Sequence, residues 1–228
     1  MSDVATLLQV QIGLPQEYGS ADAEDPMDRA WTTGFFKQPT REPVEVDWEG
    51  IVGDGVADLV NHGGRDKAIL MYASAHYPVW REELGGKVNT AKFGDGAFGE
   101  NLSVSHLQEA SVCLGDVYQV GTAVLQVSQP RQPCWKLGRR WRLKELTALA
   151  VKTGRMGWYV RVLQQGTLQV GDALQLIERP AHDWTIARLN QLFYHDRKNL
   201  ADAAVLAESP LLAEAWRGEF RKRVDKGS

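Results

Sequence analysis

The chain has 228 residues, of which 43% are hydrophobic and 24% charged, and its formal net charge is −3. This is ordinary for a globular protein with a full core, and the slightly acidic balance argues against a broad nucleic-acid-binding face, which is usually basic. No apolar run approaches the ~20 residues that span a bilayer, and only two cysteines, Cys113 and Cys134, leave no four-cysteine iron–sulfur or cysteine-rich zinc site within the chain.

Residues 1–6 show neither the basic start nor the apolar block of a signal peptide, so a cytoplasmic location is expected. Leu7 to Gly13 and Val44 to Trp48 alternate apolar and polar residues, as half-buried strands do. Between them, residues 16–29 are polar and acidic and read as a surface excursion. Ala68 to Tyr72 is continuously apolar, the pattern of a strand buried on both faces. Ser74 is placed to cap a helix over residues 75–84, with Gly85 and Gly86 as its stop. Asp116 to Val120 and Ala123 to Val127 read as a hairpin turned by Gly121 and Thr122. Leu143 to Lys152 has helical spacing before the stop at Gly154. Gly157 to Leu163 and Ala173 to Ile177 complete a series of short strands at the spacing of a barrel or sandwich.

After Pro180 the pattern turns helical. Helices are expected over 184–194, over 200–207 with Asn199 as cap, and from Ser209 and Pro210 onward. The fold class is therefore mainly β (α+β), with inserted helices and a C-terminal three-helix tail.

The segment most informative about chemistry is Val127 to Leu137, which holds Cys134 among Pro130, Pro133, Arg131 and Lys136. Prolines fix φ and remove donors, so this run reads as a shaped loop beyond a strand end, neither a continuing strand nor a helix. Positive charge nearby favours a thiolate, which is both nucleophile and soft metal ligand. Cys113 lies in an apolar strand-like run and reads as a buried hydrophobe. In Asn61 to Ala68, Gly63 and Gly64 allow backbone N–H groups to converge on an anion, with His62, Arg65 and Lys67 alongside; a tight turn before the strand remains an equal reading. Asn101, in the glycine-rich run 93–102, offers one donor group and one acceptor. Arg155, near Gly154 and Gly157, can reach a ligand or sit at a helix end. Cys134 and Arg140 have the spacing of a cysteine phosphatase, but the bulky residues between them cannot cradle phosphate. Gly94, Gly96 and Gly99 imitate a dinucleotide fingerprint but lead into a strand, not a helix.

Taken in order, Thr33-Gly34 with Phe36-Lys37, Gly53-Asp54-Gly55, His62-Gly63-Gly64 with Asp66-Lys67-Ala68, Phe98 to Leu102, Gly115-Asp116, Gln129 to Leu137, Gly157 to Leu163 and Gly171-Asp172 resemble the MOSC family, the molybdenum-cofactor sulfurase C-terminal domain proteins, and in particular its YiiM-type members. The resemblance implies a closed MOSC-type β-barrel over residues 1–180 and a three-helix extension over 181–228. It implies a molybdopterin cofactor, with Cys134 as molybdenum ligand and catalytic residue. It implies phosphate- and pterin-holding roles for His62, Gly63, Gly64, Lys67, Arg131 and Arg155, and a pterin-edge role for Asn101.

The activity implied is reduction of N-hydroxylated compounds such as hydroxylaminopurines, a detoxifying reaction, with electrons from a separate reductase of the flavoprotein kind. Persulfide carriage by Cys134 and non-catalytic cofactor binding are the alternatives. No stable nucleic-acid or membrane partner is expected, and a homodimer is left open.

Overall fold

The computed structural model describes residues 4–227. Residues 1–3, part of the segment read for a signal peptide, and Ser228 of the expected extension lie outside the described residues.

The chain opens with β1 (Leu7–Ile12), β2 (Gln16–Tyr18), β3 (Trp31–Thr33), β4 (Gln38–Thr40), β5 (Val44–Asp47) and β6 (Gly50–Ile51). A short helix α1 (Leu59–His62) and a tight turn at Arg65–Lys67 lead into β7 (Ile69–Ala73), whose five residues are all buried, as their continuous apolar run requires. Helix α2 (His76–Leu84) ends at Gly85 in a positive-φ conformation. Ser74 does not cap it: its hydroxyl donates instead to Asp95 at 2.7 Å. Next come β8 (Leu102–Val104), β9 (Val117–Val120), β10 (Ala123–Pro130), α3 (Trp135–Arg140), α4 (Leu146–Thr153), β11 (Trp158–Gln164), β12 (Gly166–Leu168) and β13 (Leu174–Glu178).

Eight strands form one sheet in the order β13-β9-β10-β11-β7-β8-β1-β4, with β7 and β8 parallel and every other pair antiparallel. A three-stranded sheet, β12-β5-β6, and the pair β2-β3 stand apart from it. The expected closed barrel is not what the described strands form. The large sheet curls until β1 meets the turn before β13, but the seam is a single bridge, Thr6 to Ala173, flanked by bonds such as Leu7 N–H to Asp172 O at 2.9 Å. Gly171 and Asp172 turn the chain there, so β13 leaves the seam immediately and no continuous ladder closes the sheet.

Two cores result. The larger lies inside the curled sheet and includes Leu7, Met71, Leu125, Val127 and Trp158. The smaller is aromatic and sits under α2, α3 and α4; in it Tyr72 stacks on Phe98 at 4.5 Å, beside Trp80, Tyr77 and Phe93.

The C-terminal segment is helical, as the apolar spacing requires. It comprises α5 (Ile186–Asn190), which widens into one π turn at Gln191–His195, α6 (Leu200–Ala207) capped by the Asn199 side chain, and α7 (Glu214–Lys226). Ser209 and Pro210 do not start the last helix, which begins four residues after Pro210. Ile186, Leu189, Leu206, Trp216 and Phe220 belong to the same buried cluster as the sheet interior. The extension and the sheet therefore share one core. Trp216→Ala is expected to cost about 3–5 kcal/mol and to leave a single cooperative unfolding transition. Denaturant titration followed by helical and aromatic signals checks this; loss of the helices in an earlier, separate transition would contradict it.

Candidate functional site

Strand β10 delivers the site. Against expectation it runs on through Gln129 and Pro130, which pair with Tyr159 and Trp158 after a register shift between Val127 and Gln129. The shift is the reason a proline is tolerated there, since bulges and strand ends are where sheets admit it. The chain then crosses residues 131–133, and Cys134 precedes α3 directly in an extended conformation. Its thiol is free and partly exposed. The Cys134 carbonyl accepts from Leu137 N–H and from the Thr147 hydroxyl, which fixes the backbone at the thiol.

Cys134 lines a cleft of about 660 Å³, its open mouth included. His62, Lys67, Asn101 and Arg131 line the same cleft, joined by Lys37, Asp54, Lys136 and Tyr159. Gly63 and Gly64 line an adjoining hollow that shares His62, Lys67 and Asp54 with it. Gly64 has φ 92°, and that left-handed geometry swings the chain from α1 into the Arg65–Lys67 turn.

The opposite wall comes from residues 33–37 and 54–58, whose loops pack backbone to backbone. A Cβ on Gly34 would stand 2.4 Å from the Gly55 carbonyl oxygen. Asp54 locks this wall. Its carboxylate pairs with Lys37, accepts from Gly13 N–H at 2.9 Å and accepts from the Asn101 amide at 2.8 Å.

The electrostatics are one-sided. Asp54 is answered by Lys37, and Asp58 caps α1 through Asn61 N–H. His62, Lys67, Arg131 and Lys136 remain on the cationic side. Arg131 is 4% exposed, and its guanidinium lies over Phe35 and Phe98 at 5.6 and 5.8 Å. Its Nη1 is buried and has no hydrogen-bond partner among the described residues. A buried guanidinium without a carboxylate is costly and suits a site that receives an anion. Burial holds the His62 pKa below the ordinary imidazole value; Asp58 opposes this, and the charges of Arg131, Lys67 and Lys136 add to it. Burial likewise lowers Lys67. Burial raises the Tyr159 phenol, which is therefore a neutral wall.

Two sequence expectations are corrected. Arg155 is not among the residues lining the cleft. Its guanidinium lies 4.0 Å from the Trp80 ring centre and pairs with Glu83 at 2.6 Å, so a partner on α2 holds it elsewhere. The Asn101 side chain is largely committed to the protein: its oxygen accepts from Leu70 N–H, and its amide donates to Asp54 and to the Gln11 carbonyl. It reaches the cleft as a brace of Asp54 more than as a free reader of a ring edge. Sequence reasoning noted Lys37 and Asp54 only as motif letters and missed their pairing. The signal that could have found them is one lysine and one aspartate in two separate glycine-containing loops, Gly34 to Lys37 and Gly53 to Gly55.

Residues 16–29 are a surface excursion as expected, none of them buried, and they are tied to the rest of the fold: β2 pairs with β3, and Asp25 and Asp28 both pair with Arg142.

A family model described as MOSC domain matches residues 58–175, and one described as YiiM-like, 3-alpha helix domain matches residues 184–227. The chain is 40% identical over 223 residues to the uncharacterized protein YflK of Bacillus subtilis, covering 97% of this chain and 95% of that one. It is 36% identical over 162 residues to a protein named Reductase from Gibberella moniliformis; the match covers 71% of this chain but only 28% of that larger protein. The crystal structure of YiiM from Geobacillus stearothermophilus matches with a TM-score of 0.79 at 37% identity, covering 96% of this chain and 99% of that one.

The cleft's charge has two consequences. An anion stabilises the imidazolium form of His62, so binding takes up a proton. Sulfate, a dianion throughout the range, should bind more tightly as pH falls through the titration of His62, which burial places below the ordinary imidazole range in the free protein, and His62→Gln should flatten that dependence; calorimetric titration at several pH values measures both, and a flat wild-type profile would refute the assignment. Arg131→Met should abolish sulfate binding while leaving the melting temperature unchanged or higher, because it removes a buried, unpaired charge. A large drop in melting temperature would show that Arg131 is structural instead.

Proposed function

The chain belongs to the MOSC domain family and is a YiiM-type member, and from that premise we propose that it is a molybdenum-cofactor-dependent reductase of N-hydroxylated compounds such as hydroxylaminopurines. The observation that carries this reading is the pairing of one accessible thiol with an uncompensated cationic cleft: Cys134 shares a wall with Arg131, whose buried Nη1 lacks a partner. The protein named Reductase among its relatives is consistent with the reaction class.

The residues present fit a phosphate-bearing pterin. Arg131, His62, Lys67 and Lys136 supply the positive charge that a phosphate needs, Arg131 with a planar fork of donors and Lys67 as a point charge. Among the described residues no group of three or more His, Cys, Asp or Glu could hold a metal by itself. A soft metal here would take one protein ligand, the Cys134 thiolate, and its other sulfur ligands from the pterin. When bound, that group supplies two-electron removal of oxygen from nitrogen. The net change is R–NHOH plus two electrons and two protons to R–NH2 plus water.

The protein's share is binding and orientation. The Cys134 backbone is pinned by Leu137 and Thr147, which fixes where the sulfur stands. The Lys37–Asp54 pair and Asn101 hold the facing wall without adding net charge. Phe35 and the neutral Tyr159 make the interior less polar, which strengthens every charge inside. His62, held mainly neutral, can take a proton at a ring nitrogen when an anion enters. The chain's two cysteines cannot build an iron–sulfur relay within these residues, so the electrons come from a reductase module outside them.

Protein purified from a host that makes the cofactor should carry molybdenum and pterin fluorescence, and should convert 6-hydroxylaminopurine to adenine with a chemical electron donor. Cys134→Ala should lose turnover and most of the metal while keeping its melting temperature. A variant that keeps both overturns the assignment, and a stable gain of one sulfur on Cys134 without pterin fluorescence would instead identify a sulfur carrier.

A further inference from the structure

The residue immediately after Cys134 is Trp135, and it is 57% exposed. A single exposed apolar side chain needs no special reason, but this one stands directly beside the thiol and is held in a cluster. The ring is not loose. Trp31, on the β2–β3 hairpin, lies against it with centroids 5.7 Å apart at an interplanar angle of 46°. The Arg139 guanidinium lies over both indoles, at 4.9 Å from Trp31 and 5.5 Å from Trp135. Arg139 is itself tied to the hairpin, its Nε donating to the Met27 carbonyl at 3.1 Å and its Nη2 donating to the Arg29 carbonyl. Behind Trp31 stand Phe36 at 6.1 Å and Tyr18 at 6.4 Å.

The result is a braced aromatic shelf next along the chain to the cleft-lining Cys134, with Lys136 Nζ 5.9 Å from the Trp135 ring centre. Trp135 sits between two cleft-lining residues, Cys134 and Lys136, while Thr33, Gly34 and Phe35 carry the hairpin's end into the cleft wall. The polar, anion-receiving part of the site is thus inside, and a flat, rigid, partly exposed π face is outside, one residue from the thiol.

We propose that Trp135 is the specificity-determining residue for substrate: its exposed indole stacks on the ring of a planar heteroaromatic N-hydroxylated compound and so selects such compounds over aliphatic ones. This rests on the reductase reading above. Stacking on a π face tolerates any flat base, which fits a broad class of heteroaromatic substrates better than a single molecule. The bracing by Trp31 and Arg139 matters because a pre-ordered ring loses little entropy on binding.

The test uses cofactor-loaded protein with reduced methyl viologen as donor, so that no protein partner is required. Trp135→Ala should raise KM for 6-hydroxylaminopurine about tenfold, the equivalent of about 1.4 kcal/mol, with kcat little changed, and should leave KM for N-hydroxyurea unaltered. Trp135→Phe should restore most of the preference. Adenine, a non-reacting ring, should bind the wild-type protein about tenfold more tightly than Trp135→Ala by calorimetry. Equal effects on both substrates, no effect on either, or no difference in adenine binding would overturn the proposal. If the wild-type protein reduces neither compound, the reductase reading fails, and the adenine titration still decides whether the shelf binds flat rings. A defect seen only with a protein electron donor would make Trp135 a docking residue and sink the assignment to substrate.

Discussion

Arg131 is the group on which the arrangement of the site turns. Its guanidinium is almost wholly buried, it rests on Phe35 and Phe98, and among the described residues no carboxylate pairs with it. An ion taken from water without a partner costs several kcal/mol. The fold bears that cost because two firm structures meet there. Arg131 N–H bonds to the Gly157 carbonyl at 3.1 Å, extending the β10–β11 ladder by one step, and the aromatic core beneath offers ring faces that attract a cation. The charge then spreads its influence: together with burial, and against Asp58, it helps to hold His62 neutral. A cleft so biased is waiting for negative charge, and an arriving anion relieves both groups.

The facing wall has the opposite character. Asp54 gathers Lys37, Gly13 N–H and the Asn101 amide, and Asn101 in turn holds Leu70 N–H and the Gln11 carbonyl. One carboxylate thus joins the end of β1, the loop before β4, the start of β7 and the loop before β8. Such a network specifies a geometry because each member, once buried, is expensive to leave unpaired. The site therefore combines a satisfied, neutral wall with an unsatisfied, cationic one.

Much of this was legible in the chain. Continuous or alternating apolar runs marked β1, β5, β7, β9 and β11, because burial on one or two faces is written residue by residue. Asn199 was readable as a cap, since its side chain and the helix it starts are neighbours. What was not legible depended on contacts across the fold. Gln129 and Pro130 looked like loop because proline lacks a donor, yet a bulge lets the strand carry them. What ties residues 16–29 down was hidden because Asp25 and Asp28 find Arg142 more than a hundred positions later. Arg155 looked free because nothing local showed that Trp80 and Glu83 would hold it. The cleft residues came from separate motifs, and only the family resemblance linked them before the structure did.

The helical extension bears on the site more directly than its distance in sequence suggests. Asp66, in the loop that carries His62 and Lys67, is a junction. Its carbonyl accepts from the Ser128 hydroxyl at 2.5 Å, its carboxylate pairs with Arg161 at 2.8 Å and receives Glu214 N–H at 3.4 Å. Arg161 also donates to the Leu211 carbonyl, and Ala213 N–H donates to the Ser128 carbonyl. The segment leading into α7 therefore clamps two elements at once: the end of β10, just before Arg131 and Cys134, and the cationic loop bonded to it through Ser128 and Asp66. Because α7 is anchored by Trp216 and Phe220 in the main core, that clamp is fixed to the interior of the sheet. The helices thus act as a brace that holds the thiol strand and the anion loop at a constant separation, which a cleft receiving a rigid ligand needs.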